Sequence, residues 1–295
     1  MKDAIVTVQA YLDQVALPVT GLQVELAFVG DTEPHKHRKH QLLYVLKGFM
    51  SVQTEQGVWA VPPQCAIWIP ADVMHFARAT QQASIANLYI EAQPPAHLEA
   101  CGILFTRPLL RELILRLVQS GEHLPGSELR HARLIAVLMD ELALSPQKSL
   151  HLPMPGDRRL KRLIDHLAQN PGLKLSMEQW GALIGVSTRT LGRLFLRETG
   201  MSFGRWLQQW DSSIALQKLA NGTSVTATAQ DLGYESLSAF ITMFRRTVGT
   251  TPARFFAQTQ TLPVESNEQP CIHMDGRVED VFSKIHVPMA QMSSQ

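Results

Sequence analysis

The sequence has few cysteines, no long hydrophobic run and almost no net charge. Its 295 residues include three scattered cysteines, Cys65, Cys101 and Cys271, without the spacing of a metal or redox motif. This pattern excludes a disulfide framework and favours a reducing compartment, so we expect a cytoplasmic protein. No apolar stretch approaches the ~20 residues of a membrane span. No basic patch followed by an apolar run begins the chain, so no signal peptide is predicted.

The formal net charge of +1 hides one strongly basic segment. Residues 158–255 hold 13 Lys and Arg against 6 Asp and Glu, a net of +7, whereas residues 1–157 and the tail from 256 each have a net of −3. Such an asymmetry is typical of a nucleic-acid binder. The length predicts two domains, each large enough to bury its own core.

The basic segment contains one helical pattern twice, at an offset of 49 residues: STRTLGRLFLRETG at 187–200 and SLSAFITMFRRTVG at 236–249. In both copies a Ser occupies the N-cap position, a Gly ends the pattern, and apolar residues recur at i, i+3 and i+4. A shorter helical stretch that ends at a glycine, Gly185 or Gly233, precedes each copy. A helix, a tight turn and a second helix form a helix-turn-helix, which is therefore predicted twice. A continuous helix over 203–219 is predicted to connect the two units and to hold them at a set separation.

Helical geometry predicts which side chains of each copy face away from the core. With about 100° per residue, Arg189 and Arg193 point outward in the first copy, and Ser238, Thr242 and Arg245 do so in the second. Because Arg is the commonest reader of guanine, we expect the first unit to read bases and the second to depend more on phosphates and DNA shape. The alternative is a solvated helix surface, against which the repeat and the charge argue. The predicted DNA contacts are Thr188, Arg189, Arg193, Arg197, Leu237, Ser238, Thr242, Arg245 and Arg246, with Arg197, Arg245 and Arg246 nearer the DNA backbone.

These motifs resemble a known family of regulators. VSTRTLGRLF at 186–195, followed by TGMSF at 199–203, is similar to the first recognition helix of AraC/XylS-type transcription regulators. LGYESLSAFITMFRR at 232–246, followed by GTTPARF at 249–255, resembles the second-unit signature of that family. The resemblance covers about 157–256 and implies a homodimeric regulator that binds double-stranded DNA, a small-molecule effector and RNA polymerase, with activation favoured over repression.

Two residues depart from the family pattern. Asp211 stands where the family usually has a basic residue, and Thr228 replaces a usual branched apolar residue. We expect the first departure to weaken a local ion pair or phosphate contact and the second to loosen the packing of the second unit.

Short strands and turns are predicted from about 19 to 90, which indicates a small antiparallel barrel or sandwich. The run from His35 to Gln41, followed by Gly48, is similar to the first cupin motif, with Gln41 in place of the usual Glu. PADVMH at 70–75 resembles the second motif, with Asp72 at its usual Gly. His35 and His37, at i and i+2, should lie on one face of a strand, and Gln41 and His75 would complete a metal site.

The metal interpretation of this motif has open alternatives. Three imidazoles and an amide oxygen are suitable ligands for Zn²⁺, Ni²⁺, Fe²⁺ or Mn²⁺, and the sequence does not choose among them. In related sugar- and drug-sensing regulators, a cupin pocket often binds its effector without a metal. The run from His35 to His40 is also compatible with a basic, solvated loop.

The combined prediction is a two-domain α+β regulator and not an enzyme. We expect a cupin-like sensing and dimerisation domain at 1–145, a linker at 146–156, a DNA-binding domain at 157–257 and a polar tail at 258–295. The two helix-turn-helix units should cover about 176–196 and 224–246. Two amphipathic helices, over 107–119 and 128–144, should pack on the barrel, and the resemblance implies that they make the dimer contact. The alternative is a metal-dependent cupin enzyme, such as an oxygenase or isomerase, with an appended helical domain.

Overall fold

The computed structural model describes residues 15, 17–26, 30–79, 83–119, 128–148, 150–260 and 272–273. The predicted α+β architecture is confirmed: strands dominate the first half and helices the second. The chain divides into two compact units, and the division after Lys148 lies inside the predicted linker. Part of that linker forms two short strands, at 147–148 and 151–152. The domain boundaries stay a prediction, and most of the tail from 258 lies outside the described residues.

The strands pair in two sheets. Their bounds are β1 Val19–Leu26, β2 Gly30–Asp31, β3 His40–Lys47, β4 Met50–Thr54, β5 Gly57–Val61, β6 Cys65–Ile69, β7 His75–Ala79, β8 Ala83–Ile90, β9 Gly102–Phe105, β10 Gln147–Lys148, β11 His151–Leu152 and β12 Ile272–His273. One sheet has the order β10-β9-β6-β3-β8-β1-β12, and the other β11-β5-β4-β7-β2. The pairing is antiparallel apart from β1 with β12. The predicted antiparallel domain is thus confirmed, although these pairings alone do not close a barrel.

Two helices cover one face of the larger sheet. They are α1 Pro108–Gln119 and α2 Glu128–Ala143, and a short 3-10 turn at Ala96–Leu98 precedes them. The apolar residues of the two helices are buried against strand residues such as Leu42 and Leu88: Leu110, Leu113, Ile114 and Leu117 in α1, and Ile135, Leu138 and Leu142 in α2, while Leu134 is partly buried. β6 and β8 are buried along their whole length, which explains why their sequences are apolar without alternation. At Gly21, an added Cβ would lie 2.6 Å from Val118 Cα, so β1 and α1 touch at a position without a side chain.

Seven helices follow in the second unit: α3 Arg158–Gln169, α4 Met177–Leu183, α5 Thr188–Thr199, α6 Phe203–Ala220, α7 Val225–Asp231, α8 Leu237–Val248 and α9 Pro252–Gln260. Ser176 and Gln179 form a capping box at the start of α4, and Asp157 caps α3. Trp180, Phe195 and Trp206 are among the largest fully buried side chains. Of the helices in the described part of the chain, none has the length and apolarity needed to cross a membrane.

The turns of the two helix-turn-helix units share one backbone conformation in different surroundings. Gly185 has φ +72° and Gly233 has φ +70°, both in the left-handed region that favours glycine. A Cβ at Gly185 would have no neighbour within 4 Å, whereas one at Gly233 would lie 2.2 Å from the carbonyl oxygen of Gly172. Only the second turn is therefore closed by contact with another backbone segment.

This difference predicts unequal costs for the same substitution. Gly185→Ala should lower the free energy of unfolding by about 1–2 kcal/mol, because only the left-handed strain is added. Gly233→Ala should lower it by about 2–5 kcal/mol, because overpacking against Gly172 is added to the strain. Urea unfolding followed by tryptophan fluorescence measures both. Equal destabilisation by the two variants would contradict the close backbone contact.

Candidate nucleic-acid interface and histidine cluster

The two repeated stretches form α5 and α8, as predicted. The hydroxyls of Ser187 and Ser236 accept from backbone amides at the start of each helix, at 3.3 and 3.2 Å. Gly200 and Gly249 end the helices in the left-handed conformation. The apolar residues on one face of each helix are buried: Leu191, Leu194 and Phe195 in α5, and Phe240, Met243 and Phe244 in α8. Each helix therefore has one face committed to the core and one left for solvent.

The predicted DNA contacts lie on these outer faces. Arg189, Arg193 and Arg197 are exposed on α5 and Thr188 is half-buried; Leu237, Ser238, Thr242, Arg245 and Arg246 are exposed on α8. Neither Arg189 nor Arg193 forms an ion pair with another described residue. Arg197 differs, because its Nη2 lies 2.8 Å from Glu198 Oε1 and lowers the pKa of that carboxyl. The placement agrees with the prediction, and the contacts with DNA themselves stay predictions.

The two departures from the family pattern are both buried. Asp211, on α6, is 2% exposed and accepts hydrogen bonds from Lys174 Nζ at 2.6 Å and the Tyr234 hydroxyl at 2.7 Å. The expectation that Asp211 weakens a local ion pair is therefore wrong: with Lys174 it forms one. Thr228 is fully buried, and its hydroxyl has no hydrogen-bond partner in the described part of the chain. Neither Lys174 nor Tyr234 could be recognised as a partner from the sequence, because both are far from Asp211 along the chain.

The sheet domain brings together the three predicted histidines. One ligand atom from each of His35, His37 and His75 lies within 4.8 Å of the others. Their arrangement differs from the prediction, because His35 and His37 lie in the segment between β2 and β3 and not within a regular strand. An isolated antiparallel bridge joins His35 to His75, with N–O distances of 2.9 Å in both directions. This backbone bridge brings His75 next to His35 from a distant part of the chain.

Hydrogen bonds to the backbone orient all three rings. Each Nδ1 lies close to a carbonyl oxygen: His35 to Glu33 at 2.8 Å, His37 to Lys39 at 2.6 Å and His75 to Val73 at 2.9 Å. A carbonyl oxygen only accepts, so each Nδ1 carries the proton and each Nε2 of a neutral ring presents a lone pair. Second partners of this kind are what orient histidine ligands around a metal.

Gln41 completes the cluster from β3. Its Oε1 lies 3.0 Å from His37 Nε2 and 3.1 Å from His75 Nε2, while its Nε2 donates to Asn87 Oδ1 at 2.8 Å. In this arrangement an acceptor oxygen faces two lone pairs, which requires a proton or a cation between them. Rotation of the Gln41 and Asn87 amides by 180° would instead make Gln41 a donor to the two rings. It would not affect His35 Nε2, which is buried without a hydrogen-bond partner among the described residues.

The electrostatics of the cluster disfavour a proton. Gln41, His37 and His75 are 2%, 5% and 2% exposed. Burial lowers the pKa of His75 to about 3 and also lowers the pKa of His35. Neutral rings with inward lone pairs are the state in which imidazole binds a metal ion. The residues present thus fit a divalent cation.

Three residues outside the cluster bear on the predicted metal motif. His40 is not part of it, because its Nδ1 accepts from the Ala71 amide at 3.0 Å and its ring stacks on Trp68. Asp72 has φ +60°, which explains why the second cupin motif has a glycine there and why an Asp is tolerated. Asn87, which holds Gln41, was missed; its only signal was a polar residue inside the apolar strand β8.

Comparisons with known proteins match both halves of the chain. A family described as an AraC-like ligand binding domain matches residues 30–151, and one described as a helix-turn-helix domain matches 180–258. The HTH-type transcriptional regulator NimR of Escherichia coli K12 is 39% identical over 232 residues, which cover 79% of this chain and 85% of NimR. The chain belongs to the AraC-type helix-turn-helix regulators. It is a transcriptional regulator with a ligand-binding N-terminal domain, as predicted, and the comparisons favour this function over a cupin enzyme.

Other proteins match a smaller part of the chain or have low sequence identity to it. The regulator RipA of Corynebacterium glutamicum is 35% identical over 103 residues, which cover 35% of this chain and 31% of RipA. The solved structure of ToxT from Vibrio cholerae covers 83% of this chain and 100% of its own, with 9% identity and a TM-score of 0.36. This last likeness is too weak to carry any statement about the ligand.

Proposed function

We propose that α5 and α8 read an operator in two adjacent major grooves, under the control of a small molecule bound in the sheet domain. The observation that carries this proposal is the paired geometry: two capped helices, 49 residues apart, each with a buried apolar face and an exposed polar face. Both belong to a segment with a net charge of +7, which attracts the phosphate backbone. Regulation of transcription then involves RNA polymerase, as in the family.

The exposed residues divide into two roles. Arg189 and Arg193, which have no described ion-pair partner, are free to form bidentate bonds with guanine, whereas Ser238 and Thr242 discriminate less. The DNA backbone is the target of Arg245 and Arg246, near the C-terminal end of α8, and of Arg197. Because Glu198 already binds Arg197, that contact requires exchange of an existing ion pair. Thr188 and Leu237, at the start of each helix, complete the interface.

The sheet domain provides a second part of the proposal. His35, His37, His75 and Gln41 hold a divalent metal ion in the ligand-binding domain, supported by three inward Nε2 lone pairs and one amide oxygen. When bound, the ion supplies a positive charge to which a small-molecule effector can coordinate. The backbone carbonyls that accept from each Nδ1 hold the rings in place, and Asn87 turns the amide oxygen inward.

Dimerisation through α2 completes the proposal. Leu129 and Val137 are 64% and 40% exposed, and with Leu144, 63% exposed just after the helix, they form a stripe opposite the buried Ile135 and Leu138. Exposed apolar residues at this spacing suit an isologous contact with a second copy of the same helix.

Enrichment of genomic DNA fragments on the purified protein, followed by sequencing, tests the regulator function. At near-physiological salt we expect a short site with two elements about one helical turn apart. Salt-sensitive retention without any preferred sequence, with and without added metal, would contradict the proposal.

Variants of the two recognition helices should behave differently on the recovered site. Arg193→Ala should weaken specific binding by about 1–3 kcal/mol and relax discrimination at one base position. Arg245→Ala should weaken binding to all sequences about equally. It should also reduce the slope of log affinity against log salt concentration by about 1. Fluorescence anisotropy on a set of single-base operator variants, at several salt concentrations, distinguishes them. A uniform loss of affinity in Arg193→Ala would exclude its role in base reading.

The metal site has a matched control within the same segment. Isothermal titration of metal-free protein with Zn²⁺, Ni²⁺ and Mn²⁺ should find about one bound ion for at least one of these metals. Replacing His75 by Ala should reduce that affinity at least about 100-fold, and Asn87→Leu about 10-fold, because the amide loses its support. His40→Ala, which changes a histidine outside the cluster, should bind as the wild type does. Equal losses in His40→Ala and His75→Ala, or none in either, would argue against the site.

The dimer contact predicts a change of mass. Val137→Glu, which places a charge in the exposed stripe of α2, should convert a dimer to a monomer in sedimentation equilibrium at micromolar concentration. Gln119→Glu, at an exposed end of α1, is the control and should leave the mass unchanged. A monomeric wild type would contradict dimerisation, and an unaffected Val137→Glu dimer would place the interface elsewhere.

A further inference from the structure

We infer that Asp211 is a positioning residue that fixes the separation of the two recognition helices and makes binding sensitive to the spacing of the two operator elements. The inference rests on the proposed function, because it has meaning only if α5 and α8 both bind DNA. Asp211 lies on α6, the helix that connects the two helix-turn-helix units, and is 2% exposed. A carboxylate with so little solvent is stable only with partners.

One oxygen atom of Asp211 joins three parts of the second unit. Its Oδ2 accepts from Lys174 Nζ at 2.6 Å, in the loop that leads into α4, and from the Tyr234 hydroxyl at 2.7 Å, in the turn between α7 and α8. Lys174 Nζ also lies 4.8 Å from the centre of the Tyr234 ring, within the range of a cation–π contact. The loop before the first helix-turn-helix unit, the connecting helix and the turn of the second unit therefore meet at a single buried acceptor.

The backbone is in contact at the same place. A Cβ on Gly233 would lie 2.2 Å from Gly172 O, and a Cβ on Gly172 would lie 2.6 Å from Asp231 O. The loop before α4 and the turn before α8 thus touch through their main chains, without side chains between them. Such a contact has little freedom to slide, and the bonds to Asp211 determine its position.

Tyr234 transmits this position to α8. Its ring packs edge-to-face on Phe240, 5.5 Å between ring centres, and Phe240 belongs to the buried face of α8. Tyr234 also lines a groove of about 470 Å³ together with Ser238, Thr242 and Arg246, three of the proposed DNA contacts. A shift of the Tyr234 hydroxyl therefore moves both the support and the binding surface of the second recognition helix.

Directional bonds explain why separation, and not only stability, depends on Asp211. The apolar core around α6 would hold α8 in several nearby arrangements, since apolar packing is non-directional. Two hydrogen bonds of 2.6–2.7 Å to one oxygen select one of them. On DNA, one extra base pair between the elements moves the second element by about 3.4 Å and turns it by about 34°, which a fixed pair of helices does not follow.

Measurement of affinity against spacing tests the inference. The full-length protein, with and without Asp211→Asn, is titrated onto the recovered operator and onto duplexes with one or two base pairs added to or removed from the segment between its elements. The wild type should lose at least about tenfold in affinity for each altered spacing, as for a mismatched contact. The variant should lose less than about threefold over the same set, because α8 is released from one position.

Lys218→Gln is the matched control. Lys218 is also on α6 and pairs with Asp231 at 2.7 Å, but the pair is partly exposed, so its loss should leave the spacing profile unchanged. Tyr234→Phe removes one hydroxyl and keeps the ring packing, so it should flatten the profile partly. If Asp211→Asn does not fold, Tyr234→Phe provides the test. Thermal unfolding of each protein shows whether it is folded.

The outcomes separate the inference from the function on which it rests. A flattened profile in Asp211→Asn or Tyr234→Phe supports the positioning role, whereas a purely structural role would weaken binding equally at every spacing. Such a uniform loss, or an unchanged profile, overturns the inference. A wild type that binds the operator but ignores spacing overturns the inference alone. A wild type without any sequence preference overturns both the inference and the proposed function.

Discussion

Burial of one apolar stripe on each recognition helix is the constraint on which the rest of the second unit depends. Leu191 and Phe195 on α5, and Phe240 and Phe244 on α8, are fully buried, so neither helix can rotate about its axis without exposing aromatic surface. At about 25 cal/mol per Å² of apolar surface, such a rotation would cost several kcal/mol for each helix. The outward direction of Arg189, Arg193, Ser238 and Thr242 follows from this burial. Packing of the core thus determines which side chains are available to contact DNA.

Features set by near neighbours in sequence could be predicted. The Ser caps, the left-handed glycines and the apolar stripes of α5 and α8 all depend on residues within four positions of one another. The histidine cluster could be predicted from a motif, although His35 and His37 lie outside the regular strands and the bridge between His35 and His75 spans 40 residues. Asn87 and the triad of Asp211, Lys174 and Tyr234 could not be predicted. Their bonds span 46, 37 and 23 residues, and no local pattern encodes a partner at that distance.

The Asp211 triad also shows why a family pattern is a weak guide to a single position. A basic residue is usual there, and a change of charge sign suggests a lost contact. In this chain Lys174 Nζ lies 2.6 Å from the Asp211 carboxylate, so the buried carboxylate has an ion-pair partner. The effect of a departure at one position therefore depends on the residues that pack around it, which the pattern at that position alone does not show.

The triad around Asp211 and the cluster around Gln41 are each built around one side-chain oxygen of a buried residue. In each, the residue is 2% exposed, and one side-chain oxygen has two polar neighbours at 2.6–3.1 Å. Burying such a group adds little to stability, because desolvation offsets most of the attraction, but it discriminates strongly between alternative geometries. At Asp211 both neighbours of Oδ2 are donors, so this oxygen is satisfied, whereas Oδ1 is buried without a hydrogen-bond partner among the described residues. At Gln41 the neighbours are lone pairs, so the site is complete only with a cation or with the amide turned around. One buried oxygen therefore holds three segments of the helical unit together, whereas in the sheet domain it belongs to a site that either binds a cation or has the Gln41 amide turned around.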